Sequence, residues 1–144
     1  MDTITIIEGR FELDLPEKEP HTISFLTLEG NRGNVLYIAD NNPISFQVYP
    51  DSMYASTVTG GVDNEILYNY LGDIRDINMR MGETRTAMRD AFSAQDSVQL
   101  MNLQETQLQI IEEDKVNKTE LVRENPNSLV SVMVLQDMVN TQSY

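Results

Sequence analysis

The feature that most constrains the fold of this chain is a change of hydrophobic period at Gly60-Gly61. Over residues 3–59, apolar and polar residues alternate in short runs, which is typical of half-buried strands. After residue 61, apolar residues recur every seven positions, as in a helix that packs against another helix. The sequence therefore predicts an α+β chain, with a β-sheet part over 1–60 and a helical part over 62–144 within a single domain of 1–144.

The N-terminal part predicts a small antiparallel β-sheet of about five or six strands. Alternating runs lie at 11–15 and 44–48, more continuous apolar runs lie at 22–28 and 34–39, and a further short run lies at 54–58. Turn-forming residues separate these runs, at Glu8-Gly9, Gly30-Asn31-Arg32-Gly33 and Asp40-Asn41-Asn42-Pro43. Such spacing favours strands joined by short hairpin connections.

The C-terminal part begins with a long helix. Four large apolar side chains recur every seven residues and predict a helix of about 25 to 30 residues with one apolar seam. A seam of this kind either packs within the chain or pairs with a second copy. The seam is therefore a candidate interface, made of Leu67, Ile74, Met81 and Met88.

Two further helices follow. Ser93 is predicted to cap a second helix that ends at Glu124, because the residue before a proline is pushed out of helical geometry. The first two helices are then expected to fold back as an antiparallel hairpin. Pro126 is predicted to begin a third helix that is apolar nearly all round. This helix would pack between the hairpin and the sheet, or against a further domain that is missing from this sequence. The apolar positions predicted for the second helix include Val98, Met101, Leu108 and Ile111.

Composition excludes several kinds of chemistry. The chain has no cysteine and one histidine, His21, so it has neither a thiol nucleophile nor the N and S ligands of a zinc centre. The net charge of −13 disfavours nucleic acid, whose binding depends on Lys and Arg. No apolar run approaches the roughly 20 residues of a membrane span. We predict no catalytic, cofactor-binding or metal-binding residue, although a hydrolase using paired carboxylates stays open, because such pairs meet only in three dimensions.

Three short motifs carry a resemblance to a known family. A glycine-plus-phenylalanine phrase lies at Glu8-Gly9-Arg10-Phe11, and a turn into helix lies at Val58-Thr59-Gly60-Gly61-Val62-Asp63-Asn64. The phrase Asn125-Pro126-Asn127-Ser128 follows the second helix. In this order the chain resembles the N-terminal accessory domain, a domain of unknown function, of Bacteroidetes thiol–disulfide oxidoreductases. The motif residues are Gly9, Phe11, Gly60, Gly61, Asn64, Asn125, Pro126 and Ser128.

The resemblance implies a function that depends on another domain. In such proteins a thioredoxin-like domain of the alkyl hydroperoxide reductase/thiol-specific antioxidant class follows the accessory domain and carries the cysteines. The chain would then be a fragment of a longer exported precursor, located in the periplasm or cell envelope, with a non-catalytic role. It would position or dimerise the redox domain, or recruit its partners, and homodimerise through a sheet edge or the heptad seam. A free-standing periplasmic protein-binding module without a redox role is the alternative.

Overall fold

The computed structural model describes residues 3–12, 22–40 and 42–141, and the chain divides into two compact units, Met1–Gly61 and Val62–Tyr144. The first unit contains short strands and a 3₁₀ helix, and the second contains three α-helices. This architecture confirms the α+β class. The boundary between the units coincides with the change of hydrophobic period at Gly60-Gly61. The single domain over 1–144 stays a prediction.

The strands form two separate sheets. β1 (Thr22–Leu26) pairs with β2 (Val35–Ala39), and β3 (Ser45–Gln47) pairs with β4 (Thr57–Thr59), both antiparallel. Within the described residues there are four strands in two 2-stranded sheets, so the prediction of one sheet with five or six strands is wrong. The reason lies partly in strand length, because β3 and β4 are only three residues long and pair only with each other.

The segment predicted as the last strand, 54–58, is mostly not extended. A 3₁₀ helix covers Pro50–Ala55, with proline at its start, and β4 begins only after it. Side chains hold this segment at both ends: the Ser56 hydroxyl accepts a hydrogen bond from the Tyr49 N–H at 3.0 Å, and the Asn31 amide donates to the Pro50 carbonyl at 2.6 Å. These local bonds compete with strand pairing, and the apolar pattern alone does not reveal them.

Phe11 packs on other aromatic rings without belonging to a strand. Its ring centre lies 6.0 Å from that of Phe46, which Tyr37 approaches edge-on at 5.1 Å. The rest of the predicted strand, 13–15, lies outside the described residues. Aromatic packing explains the apolar residue at position 11. A large ring that packs on other rings stabilises the fold even where its backbone forms no strand hydrogen bonds.

The helical unit is an antiparallel hairpin with a third helix packed on it. α1 (Val62–Ser93) and α2 (Ser97–Glu124) contact each other along their length, and α3 (Leu129–Thr141) contacts both. α1 has 32 residues, slightly more than the predicted 25 to 30. In the part of the chain that the structure describes, no helix is both long enough and apolar enough to cross a bilayer.

The cap of α2 differs from the prediction. Ser93 still belongs to α1, and its hydroxyl donates to the Arg89 carbonyl at 2.9 Å. The capping group is Asp96, whose carboxylate accepts a hydrogen bond from the Gln99 N–H at 2.9 Å. Aspartate caps a helix as well as serine does. Asp96 is the N-cap because it directly precedes the first residue of α2.

α3 begins at Leu129 and not at Pro126 as predicted. The Ser128 hydroxyl accepts a hydrogen bond from the Val130 N–H at 3.1 Å, as an N-cap does. Val130 and Val134 are fully buried. Three other apolar residues of this helix stay exposed, namely Val132, Leu135 and Val139.

Two glycines inside α1 offer a direct test of helix energetics. A Cβ atom added at Gly72 or Gly82 would meet nothing within 4 Å. We expect Gly82→Ala to raise the free energy of unfolding by about 1 kcal/mol, because glycine is that much poorer than alanine inside a helix. Gly72→Ala should add a similar amount, and the double variant should be additive because the sites share no partner. Urea unfolding followed by circular dichroism measures the free energy of unfolding of each variant. If Gly82→Ala left it unchanged, α1 would be frayed at position 82.

Candidate functional site

The distant pieces of the family motif meet in the helical unit. Ser128 donates its hydroxyl proton to a carboxylate oxygen of Asp63 at 2.5 Å, across 65 residues of sequence, and both residues are buried. The Ser131 hydroxyl donates to the Asn125 carbonyl at 2.6 Å, and the Asn125 amide donates to the Leu121 carbonyl at 2.9 Å. The first of these bonds joins the start of α1 to the α2–α3 connection, and the other two hold that connection to the ends of α2 and α3.

Asn64 lies beside this junction and is fully buried. Two of the motif phrases singled out in the sequence, the one ending at Asn64 and the one ending at Ser128, are therefore parts of one structural feature. A buried hydroxyl and carboxylate that satisfy each other stabilise a helix junction, because either alone would be costly to desolvate. This part of the motif therefore marks a helix junction.

Gly60 and Gly61 permit the turn that enters α1. Both have positive φ, +99° and +79°, a conformation that residues with a Cβ rarely adopt. A Cβ at Gly60 would collide with the Pro43 carbonyl oxygen, and one at Gly61 would lie 2.6 Å from the Asp40 carboxylate. No other residue type fits this turn without displacing its neighbours.

A polar cluster ties all three helices together. The Lys118 ammonium on α2 lies 2.8 Å from an Asp114 carboxylate oxygen and 2.9 Å from one of Asp137 on α3. The Tyr70 hydroxyl of α1 donates to the same Asp137 oxygen at 3.3 Å. The Lys118 side chain is only 11% exposed, so its charge depends on the two carboxylates for compensation.

Titration behaviour follows from this geometry. Burial raises the pKa of Tyr70, and the neighbouring Asp137 carboxylate raises it further. Burial by itself lowers the pKa of Lys118, but hydrogen bonds to Asp114 and Asp137 outweigh it, and the pKa ends above its ordinary value. Lys118 is therefore held as a cation, and Tyr70 as a neutral phenol.

The cluster lines a cavity of about 260 Å³ together with Ile74, Ile77 and Asn78 of α1. Its two carboxylates both bind Lys118, so the charges of this cavity serve to hold the helices together. In the described ranges no three His, Asp or Glu side chains are placed to hold a metal ion. Sequence reasoning missed the cluster, although the (i, i+4) spacing of Asp114 and Lys118 was a signal for one of its ion pairs.

A second ionic contact joins the hairpin further from α3. Arg80 of α1 donates two hydrogen bonds to the Glu113 carboxylate, both at 2.8 Å, and also lies 3.3 Å from Asp76. The hydrogen bonds from Arg80 lower the pKa of Glu113. The pair places Arg80 level with Glu113 across the hairpin, and as an exposed contact it adds little to stability.

The N-terminal unit has a wider surface cavity of about 580 Å³. It lies between the turn at Gly30-Asn31-Arg32-Gly33 and the 3₁₀ helix, and Tyr54 stands exposed at its edge. Arg32 and Asp51 are the charged residues that line it, one of each sign. This balance gives no preference for a ligand of one charge.

The candidate interface of the sequence lies along α1. Leu67 is 0% exposed, and Ile74, Met81 and Met88 are half-buried. Ile74 faces the three-helix cavity. Leu67 has no surface left for a second copy, so dimerisation through this seam would depend on its other three residues.

Residues 1–67 match the family model of a domain of unknown function (DUF4369). The match covers the N-terminal unit and the first turns of α1, and includes Gly9, Phe11, Gly60, Gly61 and Asn64 of the predicted motif. No curated protein and no solved structure matches the chain.

Proposed function

We propose that this chain is a non-catalytic accessory domain of an exported thiol–disulfide oxidoreductase, acting in the periplasm or cell envelope. It positions or dimerises a thioredoxin-like domain of the parent protein, or recruits the partners of that domain. The observation that supports the proposal is the set of motif residues. They follow the order of the resemblance, and Ser128 in the helical unit holds a helix junction through its bond to Asp63.

The absence of cysteine supports the non-catalytic half of this proposal. Disulfide exchange proceeds by thiolate attack on a sulfur, and no residue of this chain can supply the thiolate. The family model that matches residues 1–67 describes a domain of unknown function. It therefore neither supports nor opposes the proposed link to a redox protein.

The test starts with the coding sequence beyond the codon for Tyr144. A thioredoxin-like segment with Cys-x-x-Cys, or with a single peroxidatic cysteine, is the expected result. The parent protein should then reduce insulin, while residues 1–144 alone should not. Deleting 1–144 from the parent should leave the intrinsic thiol chemistry in place but alter oligomeric state or activity on a protein substrate. A coding sequence without any redox domain would overturn the proposal.

A second candidate is a free-standing protein-binding module with no redox role. The observation in its favour is the exposure of large apolar side chains on α2 and α3, because exposed apolar patches mark interaction sites. These residues include Met101, Leu108, Val132 and Val139. A stop codon directly after Tyr144, together with binding of a partner by these helices, would favour this candidate.

A further inference from the structure

β1 lies at an edge of its sheet. Among the residues that the structure describes, it pairs with β2 alone, in a continuous register without a bulge. Natural proteins protect such edges with lysine, proline, a bulge or a very short strand. The sequence of β1, Thr-Ile-Ser-Phe-Leu, contains no charged residue and no proline, and at 5 residues it has the length of an ordinary strand. This edge therefore has none of these protections.

One face of the strand pair is apolar, and the burial of this face ends at β1. Cross-strand neighbours on it are Ile23 with Ile38 and Phe25 with Leu36. Ile38 is 1% exposed, whereas Ile23 is 39% exposed and Phe25 59%. The buried surface of β2 therefore continues onto β1 as an exposed apolar surface, on the side where a further strand would pair.

The strand pair also carries no charge, in a chain of net charge −13. Neither β1 nor β2 contains Asp, Glu, Lys or Arg. Two copies of so acidic a chain repel each other where their carboxylates meet. A contact through β1 avoids this repulsion, because the paired strands bring no charged side chains together. The charge distribution therefore favours a second copy at this edge, and it provides no charge that would select an acidic or a basic partner.

β1 is also complementary to itself. When two antiparallel copies of a strand are related by a twofold axis perpendicular to the sheet, their equivalent faces lie on the same side. With the axis at Ser24, Ile23 lies opposite Phe25 of the second copy, and Phe25 lies opposite Ile23 of that copy. Each row across the combined sheet is then apolar, because Ile38 and Leu36 continue it on both sides. An aromatic residue opposite a β-branched one is a favourable cross-strand pair.

We propose that β1 pairs antiparallel with β1 of a second copy, centred on Ser24, and so joins the two strand pairs into one continuous sheet. The contact supplies the backbone hydrogen bonds of a strand added to an edge. It also covers Ile23 and Phe25 of both copies. Such a contact is small, below the roughly 1,200 Å² of standard interfaces, so we expect a weak dimer. The inference rests on the dimerising role in the proposed function and selects this sheet edge over the heptad seam of α1.

Sedimentation of the full chain from about 1 μM to about 500 μM measures this association, since a weak dimer forms only in the upper part of that range. The test variant is Phe25→Lys, which places a charge at the edge and removes the aromatic contact. Phe92→Lys is the matched control, because it makes the same change at a phenylalanine of the helical unit that is 74% exposed. Phe25→Lys should weaken the dimer at least about tenfold, and Phe92→Lys should leave it unchanged. Circular dichroism confirms that each variant is folded.

An introduced cysteine tests the register, since the chain has no thiol of its own. Directly opposed residues of antiparallel strands have Cα atoms about 4.5 to 5.5 Å apart, which is within disulfide range. Ser24→Cys should therefore form a covalent dimer when oxidised with copper phenanthroline. Ser45→Cys, which makes the same change at an exposed serine of β3, should not.

A chain that stays monomeric up to about 500 μM would overturn the inference, and so would a dimer that Phe25→Lys leaves intact. Equal cross-linking of the two cysteine variants would overturn it as well, because Ser24 would then have no special position in the dimer. A β1 dimer of a chain whose gene lacks a redox domain would overturn only the proposed function. A monomeric chain whose gene encodes such a domain would overturn only this inference.

Discussion

Ser128→Ala should lower the free energy of unfolding of the helical unit by about 3 kcal/mol. The hydroxyl makes two bonds that alanine cannot make: it caps α3 through the Val130 N–H, and it donates to the buried Asp63 carboxylate. Loss of a cap costs about 1 kcal/mol. Leaving a buried carboxylate short of a donor costs about 1 to 3 kcal/mol more. Urea unfolding followed by far-ultraviolet circular dichroism measures the total.

Asp96→Ala is the matched control, because it removes the cap of α2 from an exposed position. It should cost only about 1 kcal/mol. A double-mutant cycle with Asp63→Ala removes the acceptor and so isolates the long-range bond, and we expect Ser128→Ala to cost less in that background because no buried carboxylate is left without its donor. If Ser128→Ala lowers the free energy of unfolding no more than Asp96→Ala does, Ser128 acts only as a helix cap. Its bond to Asp63 would then add nothing to stability.

Lys118→Met should lower the free energy of unfolding by about 2 kcal/mol at neutral pH. Methionine keeps most of the side-chain volume but leaves the Asp114 and Asp137 carboxylates beside each other without a cation. Removing one partner of a fully buried ion pair costs about 3 to 5 kcal/mol, and the partial exposure of the two carboxylates, 29% and 44%, reduces this figure. Tyr70→Phe is the milder comparison, because it removes a single 3.3 Å hydrogen bond to Asp137 and leaves the Lys118 cation in place.

The difference in free energy of unfolding between wild type and Lys118→Met should become smaller at high pH. The pKa of Lys118 is raised in the folded chain, so its contribution is complete below the ordinary lysine value of 10.5 and is lost as pH rises through the folded pKa. The gap between wild type and Lys118→Met should therefore shrink above about pH 10.5. The raised pKa of Tyr70 makes both proteins less stable in the same range. A gap that stays constant to pH 12 would show that lysine acts there through packing alone.

Local features of this fold could be predicted from the sequence. The change of period at Gly60-Gly61 predicted where the sheet part gives way to helix, because apolar spacing along a strand or helix reflects its own geometry. Pro126 predicted the end of α2 at Glu124 for a similarly local reason. Errors arose where side chains compete for the backbone, as at the 3₁₀ helix Pro50–Ala55 and at the cap supplied by Asp96.

The long-range features could not be predicted in this way. The heptad seam predicted that Ile74 and Met81 face a packing partner, but not that Asp137 of α3 would line a cavity together with Ile74. Likewise the sequence predicted that the phrase at Asn125 ends a helix. It did not predict the bond from Ser128 to Asp63, which depends on how the helices pack.

The sequence by itself determined where the sheet part gives way to helix, the end of α2 before Pro126 and the absence of a thiol. Only the tertiary structure decided which strands pair, which carboxylates meet Lys118 and which apolar side chains stay exposed. The physical reason is separation along the chain: Asp63 and Ser128 are 65 residues apart, and Tyr70 and Asp137 are 67. Spacing rules act over one or two turns, whereas these contacts depend on how three helices pack.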